Sequence, residues 1–260
     1  MMKNKKITAS IEARMTSSRL PGKVLMNALD DGTSMLEFMI KRVKKSKLID
    51  KIIIATTKNK TDQPIIDLCE KLKVDYYRGS EEDVLLRVLE AHKKFDSDII
   101  VELTGDCPLI DSIIMDEIIS IYLENDYDYV SNSHVRSYPD GFDVQVFSTE
   151  LLDDVSKKTN YEYDRENVSS YFYRTNEFNI HGVIASKELF WPDLRVTLDD
   201  KGDYLLLKNI ITTLHKLHGY NFKAIDVVNY LKESPKLLDL LKDVRISNAP
   251  YQYVADGPRK

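Results

Sequence analysis

Apolar residues in the first 112 positions of the chain follow two different patterns. Short continuous apolar runs, such as residues 51–56, have the length of strands buried on both faces of a parallel sheet. Between them, apolar residues recur at spacings of three and four, which predicts amphipathic helices. The predicted strands are 6–13, 51–56, 74–77 and 99–103, and the predicted helices begin near Ser34, span 62–73 and begin after Ser80. This fourfold alternation predicts an α/β fold with helices on both faces of the sheet.

The pattern is looser after residue 112. Predicted helices cover 112–125, 149–158, 163–175, 201–217 and two short stretches within 226–242, and predicted strands cover 129–131, 142–147, 178–185 and 194–198. No linker rich in Gly, Ser or Pro divides the chain. We therefore predict a single domain over 1–245 with a mixed, mostly parallel sheet, an insertion at 132–180, and an irregular tail at 246–260.

Composition narrows the class of protein. The 260 residues are 43% hydrophobic and 30% charged, with a net charge of -5, which argues against nonspecific nucleic-acid binding. The two cysteines, Cys69 and Cys107, have no CxxC neighbour, so a zinc site is not expected. No apolar run approaches the length of a membrane span, and no signal-peptide core follows the basic N-terminus. We expect a cytoplasmic protein without membrane insertion.

The loop that follows the first predicted strand is rich in cations and hydroxyls. Residues 11–23 carry Arg14, Ser17, Ser18, Arg19 and Lys23. Cations neutralise phosphate oxygens, and hydroxyls and backbone N–H groups donate hydrogen bonds to them, so a phosphate-binding loop is predicted. The loop matches neither the Walker motif nor the Gly-x-Gly-x-x-Gly turn. Taken alone, it is equally compatible with a solvated basic loop.

Two carboxylates follow predicted strands. Asp106 comes just after strand 99–103, at the strand end where ligands of open α/β sheets bind, and Asp199 ends strand 194–198. Carboxylates beside a triphosphate site hold Mg²⁺, which prefers oxygen ligands. An Asx-type turn is the alternative for Asp106, and capping of the next helix is the preferred interpretation of Asp111. Asp200 is a candidate helix cap in the same way.

Three further polar segments are open to a structural or a functional interpretation. The segment 78–83 contains Ser80, which either caps the next helix with Asp83 or contacts a base. The segment 138–144 is a turn into a strand whose Asp140 and Asp143 could line an acceptor pocket. The segment 164–167 opens a helix from which Arg165 could meet an acidic acceptor.

These segments, in this order, resemble one enzyme family. Ala13-Arg-Met-Thr-Ser-Ser-Arg-Leu-Pro-Gly-Lys-Val-Leu25 resembles the signature of CMP-KDO synthetase, where KDO is 3-deoxy-manno-octulosonate, and of the spore-coat polysaccharide cytidylyltransferases. The resemblance continues through 77–85, 104–111, 139–144 and 195–199, and covers roughly 6–240. The segments Arg-Gly-Ser-Glu-Glu-Asp-Val and Asp-Gly-Phe-Asp-Val place the chain nearer the spore-coat branch.

The resemblance implies a GT-A-like nucleotidyltransferase fold that makes a CMP-conjugate from CTP and releases diphosphate. It assigns catalysis to Arg14, Lys23, Asp106 and Asp199, with Asp106 and Asp199 as the Mg²⁺ ligands. Its implied nucleotide-binding set is Ala13, Arg14, Met15, Thr16, Ser17, Ser18, Arg19, Lys23, Ser80, Thr104 and Asp106, and its implied acceptor-binding set is Asp140, Asp143, Arg165 and Arg195. The implied partners are CTP, an acidic sugar or a small phosphate or phosphonate acceptor, and a second copy of the chain, which would meet it through 132–180.

The chain departs from the family pattern at one position. Thr16 occupies a place where relatives usually have Gly or Ala. Its branched Cβ would strain a left-handed backbone, with consequences for the tightness of the loop and for base selectivity. Two other functions remain open at this point. One is a nucleotide-sugar-dependent glycosyltransferase, which would usually have an Asp-x-Asp metal motif where this chain has Gly105-Asp106-Cys107. The other is a nucleotide-binding protein without catalysis.

Overall fold

Most of the strands join one sheet. The computed structural model describes residues 5–241 and 252–253. Its strands are β1 (Ile7–Glu12), β2 (Lys51–Thr57), β3 (Asp75–Gly79), β4 (Ile99–Thr104), β5 (Tyr129–Ser131), β6 (Val135–Arg136), β7 (Gln145–Ser148), β8 (Ile180–Gly182) and β9 (Gln252–Tyr253). Seven of them lie in the order β3-β2-β1-β4-β7-β5-β8, while β6 pairs with β9. Strand β7 is antiparallel to β4 and β5, and the other pairs of this sheet are parallel. The predicted mixed, mostly parallel sheet is confirmed.

The helices begin at residues that suit helix N-termini. They are α1 (Met35–Val43), α2 (Gln63–Leu72), α3 (Val84–Lys94), α4 (Ser112–Glu124), α5 (Thr149–Lys158), α6 (Glu162–Glu166), α7 (Ser170–Arg174), α8 (Lys201–His218) and α9 (Ala224–Glu233). The side chains of Ser34, Asp83, Asp111 and Asp200 each accept a backbone N–H from the first turn of the following helix. The capping roles predicted for Asp111 and Asp200 are therefore confirmed.

Helices cover both faces of the sheet because strand side chains alternate between them. Ile54 and Val101 pack into a core with residues of α1, α4 and α8. Their neighbours in sequence, Ile53 and Ile100, pack on the opposite face with residues of α3 and α5. No helix among the described residues is long and apolar enough to cross a membrane.

The second half of the chain departs from the predicted elements. The predicted helix 163–175 is wrong, because α6 and α7 are separated by a break in which Val168 has φ 50°. The predicted strand 194–198 is also wrong, since this extended segment makes one bridge, between Asp140 and Arg195. Strand β7 begins later than the predicted strand 142–147 and ends one residue beyond it. Strand β8 is shorter than the predicted strand 178–185. Helix α9 begins before the predicted 226 and is followed by a 3-10 helix, Pro235–Leu241.

Most of the tail, 246–260, lies outside the described residues, and its described part forms β9. Within 132–180, Tyr171 and Phe172 are buried in the core shared with α3 and α5, whereas Tyr161 is 57% exposed.

The arrangement of the strands determines where a ligand can bind. Strand β1 lies between β2 and β4, so the chain turns to one side of β1 first and reaches the other side later. In open parallel sheets, a crevice forms at such a switch point, outside the carboxyl ends of the strands. The loops that follow β1 and β4 meet at this crevice.

Candidate active site

Backbone contacts join three loops at the carboxyl edge of the sheet. The N–H of Gly105 donates to the carbonyl of Glu12 at 2.9 Å, which ties the end of β4 to the end of β1. A Cβ at position 105 would lie 2.5 Å from that carbonyl oxygen, so the close approach requires glycine. The N–H of Leu198 donates to the carbonyl of Asp106 at 2.8 Å. The loop after β4 is thereby held between the other two.

This arrangement brings together the charged side chains at the centre of the site. The Nζ of Lys23 lies 3.0 Å from Oδ1 of Asp199 and 3.4 Å from Oδ2 of Asp106. The guanidinium of Arg19 lies 2.7 Å from the same Oδ1 of Asp199. Burial opposes the charges, yet the two carboxylates raise the pKa of Lys23, and Lys23 lowers the pKa of Asp106. Lys23 and Asp106 therefore stay ionised at neutral pH.

The loop after β1 folds around a buried carboxylate. Asp62 accepts the N–H of Met15 at 2.8 Å and hydrogen bonds from Thr56 and Thr57. The loop then closes on itself, since the N–H of Gly22 donates to the carbonyl of Met15 at 2.9 Å, with φ 73° at Gly22. The left-handed turn is thus at a glycine.

Thr16 does not adopt the strained conformation. It is not among the non-glycine residues with positive φ in the described part of the chain. Its hydroxyl donates to the carboxylate of Glu81, which also pairs with Arg14 at 3.4 Å. The strain expected from a left-handed Thr16 is therefore absent, and the side chain ties the loop to the segment before α3.

A cavity of about 630 Å³ opens between these loops. Its lining includes most of the side chains that the sequence assigned to nucleotide binding: Ala13, Arg14, Ser17, Ser18, Arg19, Lys23, Thr104, Asp106 and, for the metal, Asp199. The described lining does not include Met15, Thr16 or Ser80. The Oγ of Ser80 instead accepts the N–H of Asp83 at 3.0 Å, as the capping interpretation requires.

The four acceptor-binding candidates fall into two groups. Asp140 and Asp143 line the cavity, and the buried Arg136 holds Asp143 through two hydrogen bonds of 2.7 and 3.0 Å. Burial and the neighbouring Asp143 raise the pKa of Asp140 to about 7.

Arg165 and Arg195 do not belong to the described lining. Arg165 pairs with Asp83 and donates to the carbonyl of Ser156 at 2.9 Å. Arg195 contacts Asp203 at 2.6 Å and Asp199 at 3.9 Å, so it braces the segment that carries Asp199.

Three buried charged residues of the cavity were not identified from the sequence. Glu12, Glu102 and Arg87 line it beneath the loops. Burial raises the pKa of Glu12 to about 8 and that of Glu102 well above its ordinary range. The signal was present, since one acidic residue, Glu12, ends the apolar strand β1 and another, Glu102, interrupts the apolar strand β4. Glu12 ends β1, Glu102 lies within β4 and Arg87 lies in α3, so nothing local indicates that the three side chains meet at one cavity.

The oxygens at the centre of the site suit a hard cation. Asp106 and Asp199 each contact the same ammonium group, so their carboxylates converge on one point. Among the described residues there is no group of three or more His, Cys, Asp or Glu side chains able to hold a metal. Two carboxylates match the way Mg²⁺ binds in nucleotide enzymes, where phosphates and water complete the shell. The donor set therefore fits a magnesium–nucleotide complex.

Comparison with known proteins identifies the family. Residues 8–244 match the sequence profile of the family described as cytidylyltransferase. The chain belongs to the cytidylyltransferase family. A spore coat polysaccharide biosynthesis protein, SpsF of Bacillus subtilis, is 31% identical over 204 residues, which are 76% of this chain and 83% of SpsF. An uncharacterized protein of Methanocaldococcus jannaschii is 34% identical over 241 residues, 92% of this chain and 96% of that one.

A solved structure confirms the fold of this cytidylyltransferase. A cytidylyltransferase from Leptospira borgpetersenii superposes with a TM-score of 0.84 at 32% identity, covering 94% of this chain and all of that one. The resemblance inferred from the motifs is confirmed at family level, and the protein is a CTP-dependent cytidylyltransferase.

Proposed function

We propose that this cytidylyltransferase transfers CMP from CTP to an acidic sugar or a small phosphate or phosphonate acceptor, with release of diphosphate. The observation that carries the proposal is the cluster of Lys23, Arg19, Asp106 and Asp199 at the switch point of the sheet. Cations for a triphosphate and carboxylates for its metal lie there within one network of contacts.

The reaction is an in-line displacement at phosphorus. An oxygen of the acceptor attacks the α-phosphorus of CTP, the bond to the bridging oxygen breaks, and diphosphate leaves with the electron pair. Little covalent work falls to the protein, so orientation and charge stabilisation carry the rate. Arg14, Arg19 and Lys23 neutralise the leaving diphosphate, and Ser17 and Ser18 donate hydrogen bonds to its oxygens.

Asp106 and Asp199 are the residues that would hold Mg²⁺, which supplies positive charge at the reacting phosphates when bound. The ammonium of Lys23 pairs with both carboxylates in the structure. Its four-carbon side chain is flexible, so the ammonium can turn to a phosphate oxygen once the carboxylates have another cation. An acceptor oxygen that is already ionised needs no base, and Asp140, whose pKa is raised to about 7, can accept a proton from one that is not.

The experiment is diphosphate release with CTP, Mg²⁺ and a panel of ulosonic acids, sugar phosphates, polyol phosphates and phosphonates. ATP, GTP and UTP serve as nucleotide controls. We expect CTP-selective release with at least one acceptor, and kcat/KM lower by about 10²–10³ in Lys23→Met, the scale of one electrostatic contact. Lys71→Met, at an exposed lysine that pairs with the buried Glu37 away from the cavity, is the matched control and should behave as wild type. Wild-type turnover in Lys23→Met would contradict the assignment.

We further propose a homodimer that contacts its partner through 132–180, and a role in surface polysaccharide synthesis in the cytoplasm. Support for the interface is the exposed Tyr161 in an aromatic segment whose Tyr171 and Phe172 are buried, and support for the role is the similarity to SpsF. Light scattering should give twice the chain mass at micromolar concentration, and Tyr161→Glu should lower it. A wild-type monomer would refute the dimer.

A further inference from the structure

The loops that follow β1, β2 and β3 meet at one carboxylate, that of Glu81. Its Oε1 accepts a hydrogen bond from the hydroxyl of Thr16 at 2.5 Å and lies 3.4 Å from Nη1 of Arg14, both in the loop after β1. Its Oε2 accepts a hydrogen bond from the side-chain amide of Asn59, in the loop after β2, at 2.5 Å. Arg14 belongs to the described lining of the cavity, whereas Glu81 and Thr16 do not. Glu81 therefore joins the three loops from outside the cavity.

Further contacts fix the backbone on both sides of this junction. Nη1 of the buried Arg87 donates to the carbonyls of Ser80, at 2.5 Å, and Glu81, at 3.3 Å. The carbonyl of Asn59 accepts a hydrogen bond from Nη2 of Arg78 at 2.7 Å. The hydrogen bonds from Thr16 and Asn59 lower the pKa of Glu81, so its carboxylate is charged at neutral pH. A fixed negative charge thus lies beside the loop after β1.

The other anchors of the loop after β1 act on its backbone at one residue. The N–H of Met15 donates to Asp62, and the carbonyl of Met15 accepts the N–H of Gly22. These contacts do not restrict the side chain of Arg14, which is 45% exposed. A long, exposed arginine side chain samples many rotamers unless a partner holds it. The ion pair with Glu81 is such a restraint.

The geometry of the pair leaves Arg14 able to bind a ligand. A guanidinium group carries five N–H donors in one plane, and Glu81 meets that of Arg14 at Nη1. The donors on Nε and Nη2 can therefore meet phosphate oxygens in the cavity while the pair is kept. A cation that is already in place when the substrate binds stabilises charge on phosphate without reorganisation.

We propose that Glu81 is a positioning residue that holds the guanidinium of Arg14 towards the triphosphate of CTP, with the hydroxyl of Thr16 fixing the carboxylate. This inference rests on the proposed function, which assigns Arg14 to the triphosphate. It also gives a role to position 16, where the chain departs from the family pattern. Gly or Ala at this position has no hydroxyl to donate to Glu81.

A double-mutant cycle on CTP binding tests the proposal. Calorimetry with CTP and Mg²⁺, without an acceptor, gives the Kd for wild type, Glu81→Ala, Arg14→Met and the double variant. Glu81→Ala should raise Kd about three- to tenfold, the cost of ordering one long side chain on binding. Arg14→Met should raise Kd at least about tenfold, because a charge-assisted hydrogen bond is lost. In the Arg14→Met background, Glu81→Ala should change Kd by less than about twofold, since its effect passes through Arg14.

Two more substitutions separate positioning from charge and from folding. Glu82→Ala removes the same charge at the adjacent, exposed residue outside the described lining of the cavity, and its Kd should equal that of wild type. Thr16→Val should raise Kd about threefold in wild type and have no further effect in Glu81→Ala. A Glu81 that merely stabilised the fold would lower Tm and change Kd equally with and without Arg14. A Glu81 that merely repelled the triphosphate would bind CTP more tightly after Glu81→Ala.

The outcomes separate this inference from the proposed function. If Arg14→Met weakens CTP binding and Glu81→Ala does not, or if the two effects add, the positioning role is wrong and the proposed function is retained. The expected coupling without diphosphate release for any acceptor would support the positioning role and overturn the proposed function. Unchanged CTP binding in Arg14→Met, or no CTP binding in wild type, would overturn both.

Discussion

Two adjacent aspartates give the sharpest test of how the site is built. Asp199 contacts Lys23 at 3.0 Å and Arg19 at 2.7 Å in the cavity. Asp200 instead caps α8, since its side chain accepts the N–H groups of Gly202 at 2.9 Å and Asp203 at 3.2 Å. Substitution of Asp199 should therefore affect catalysis, and substitution of Asp200 should affect the stability of the fold.

The expected magnitudes follow from these contacts. Asp199→Asn keeps the shape of the side chain and removes the charge, so kcat/KM should fall by about 10²–10³, which corresponds to about 2.7–4 kcal/mol of transition-state stabilisation. Asp200→Ala removes a helix cap and should cost about 1 kcal/mol of unfolding free energy. In a domain of this size, that loss lowers Tm by about 2–4 °C.

The assay measures initial rates of diphosphate release and Tm on the same preparations. Asp199→Asn should lose activity without a comparable drop in Tm, and Asp200→Ala should show the reverse. Activity of Asp199→Asn within about threefold of wild type, or a larger activity loss in Asp200→Ala, would refute the assignment of the two carboxylates.

Three further predictions concern stability, loop geometry and the metal. Burial raises the pKa of Glu12 to about 8 from an ordinary 4.5, so folding takes up a proton between these pH values and the stability of the wild type falls as pH rises through this window. In urea unfolding, Glu12→Gln should therefore gain stability relative to the wild type between about pH 5 and about pH 8.5. A stability difference that stays constant with pH would contradict the argument that this carboxyl group is buried. Gly105→Ala places a Cβ 2.5 Å from the carbonyl oxygen of Glu12, so the loop that carries Asp106 must shift. We expect kcat/KM to fall by about 10², because the displaced carboxylate no longer meets the substrate correctly. An unchanged kcat/KM would contradict this prediction. Chelation with EDTA should abolish diphosphate release, and added Mg²⁺ should restore it. Full activity after chelation would contradict the assignment of Asp106 and Asp199 as metal ligands.

The first half of the fold was predictable because its elements have strong local signals. Buried parallel strands such as β2 and β4 are continuous apolar runs, and the helices between them begin at capping residues such as Ser34. The loop after β1 could be located because its cations and hydroxyls are adjacent in the sequence. The capping of α4 by Asp111 and of α8 by Asp200 was also visible locally.

The remaining features depend on contacts between distant residues. The break between α6 and α7 occurs at Val168, a β-branched residue in a left-handed conformation that no local rule favours. The extended segment before Asp199 follows the pairing of Arg195 with Asp140, which is 55 positions earlier in the numbering of the chain. The cavity brings together Glu12, Arg87 and Glu102 from three separate elements, so this cluster of charged residues emerges only in the folded protein.

The most direct test of the central claim is ³¹P NMR of a reaction containing CTP, Mg²⁺ and each acceptor of the panel of ulosonic acids, sugar phosphates, polyol phosphates and phosphonates. We expect the triphosphate signals of CTP to be replaced by those of free diphosphate and of a CMP conjugate, which is a phosphodiester with a sugar acid and a diphosphate diester with a phosphate acceptor, with no comparable change for ATP, GTP or UTP. Diphosphate formation from all four nucleotides alike, or CTP that stays intact with every acceptor, would contradict the account.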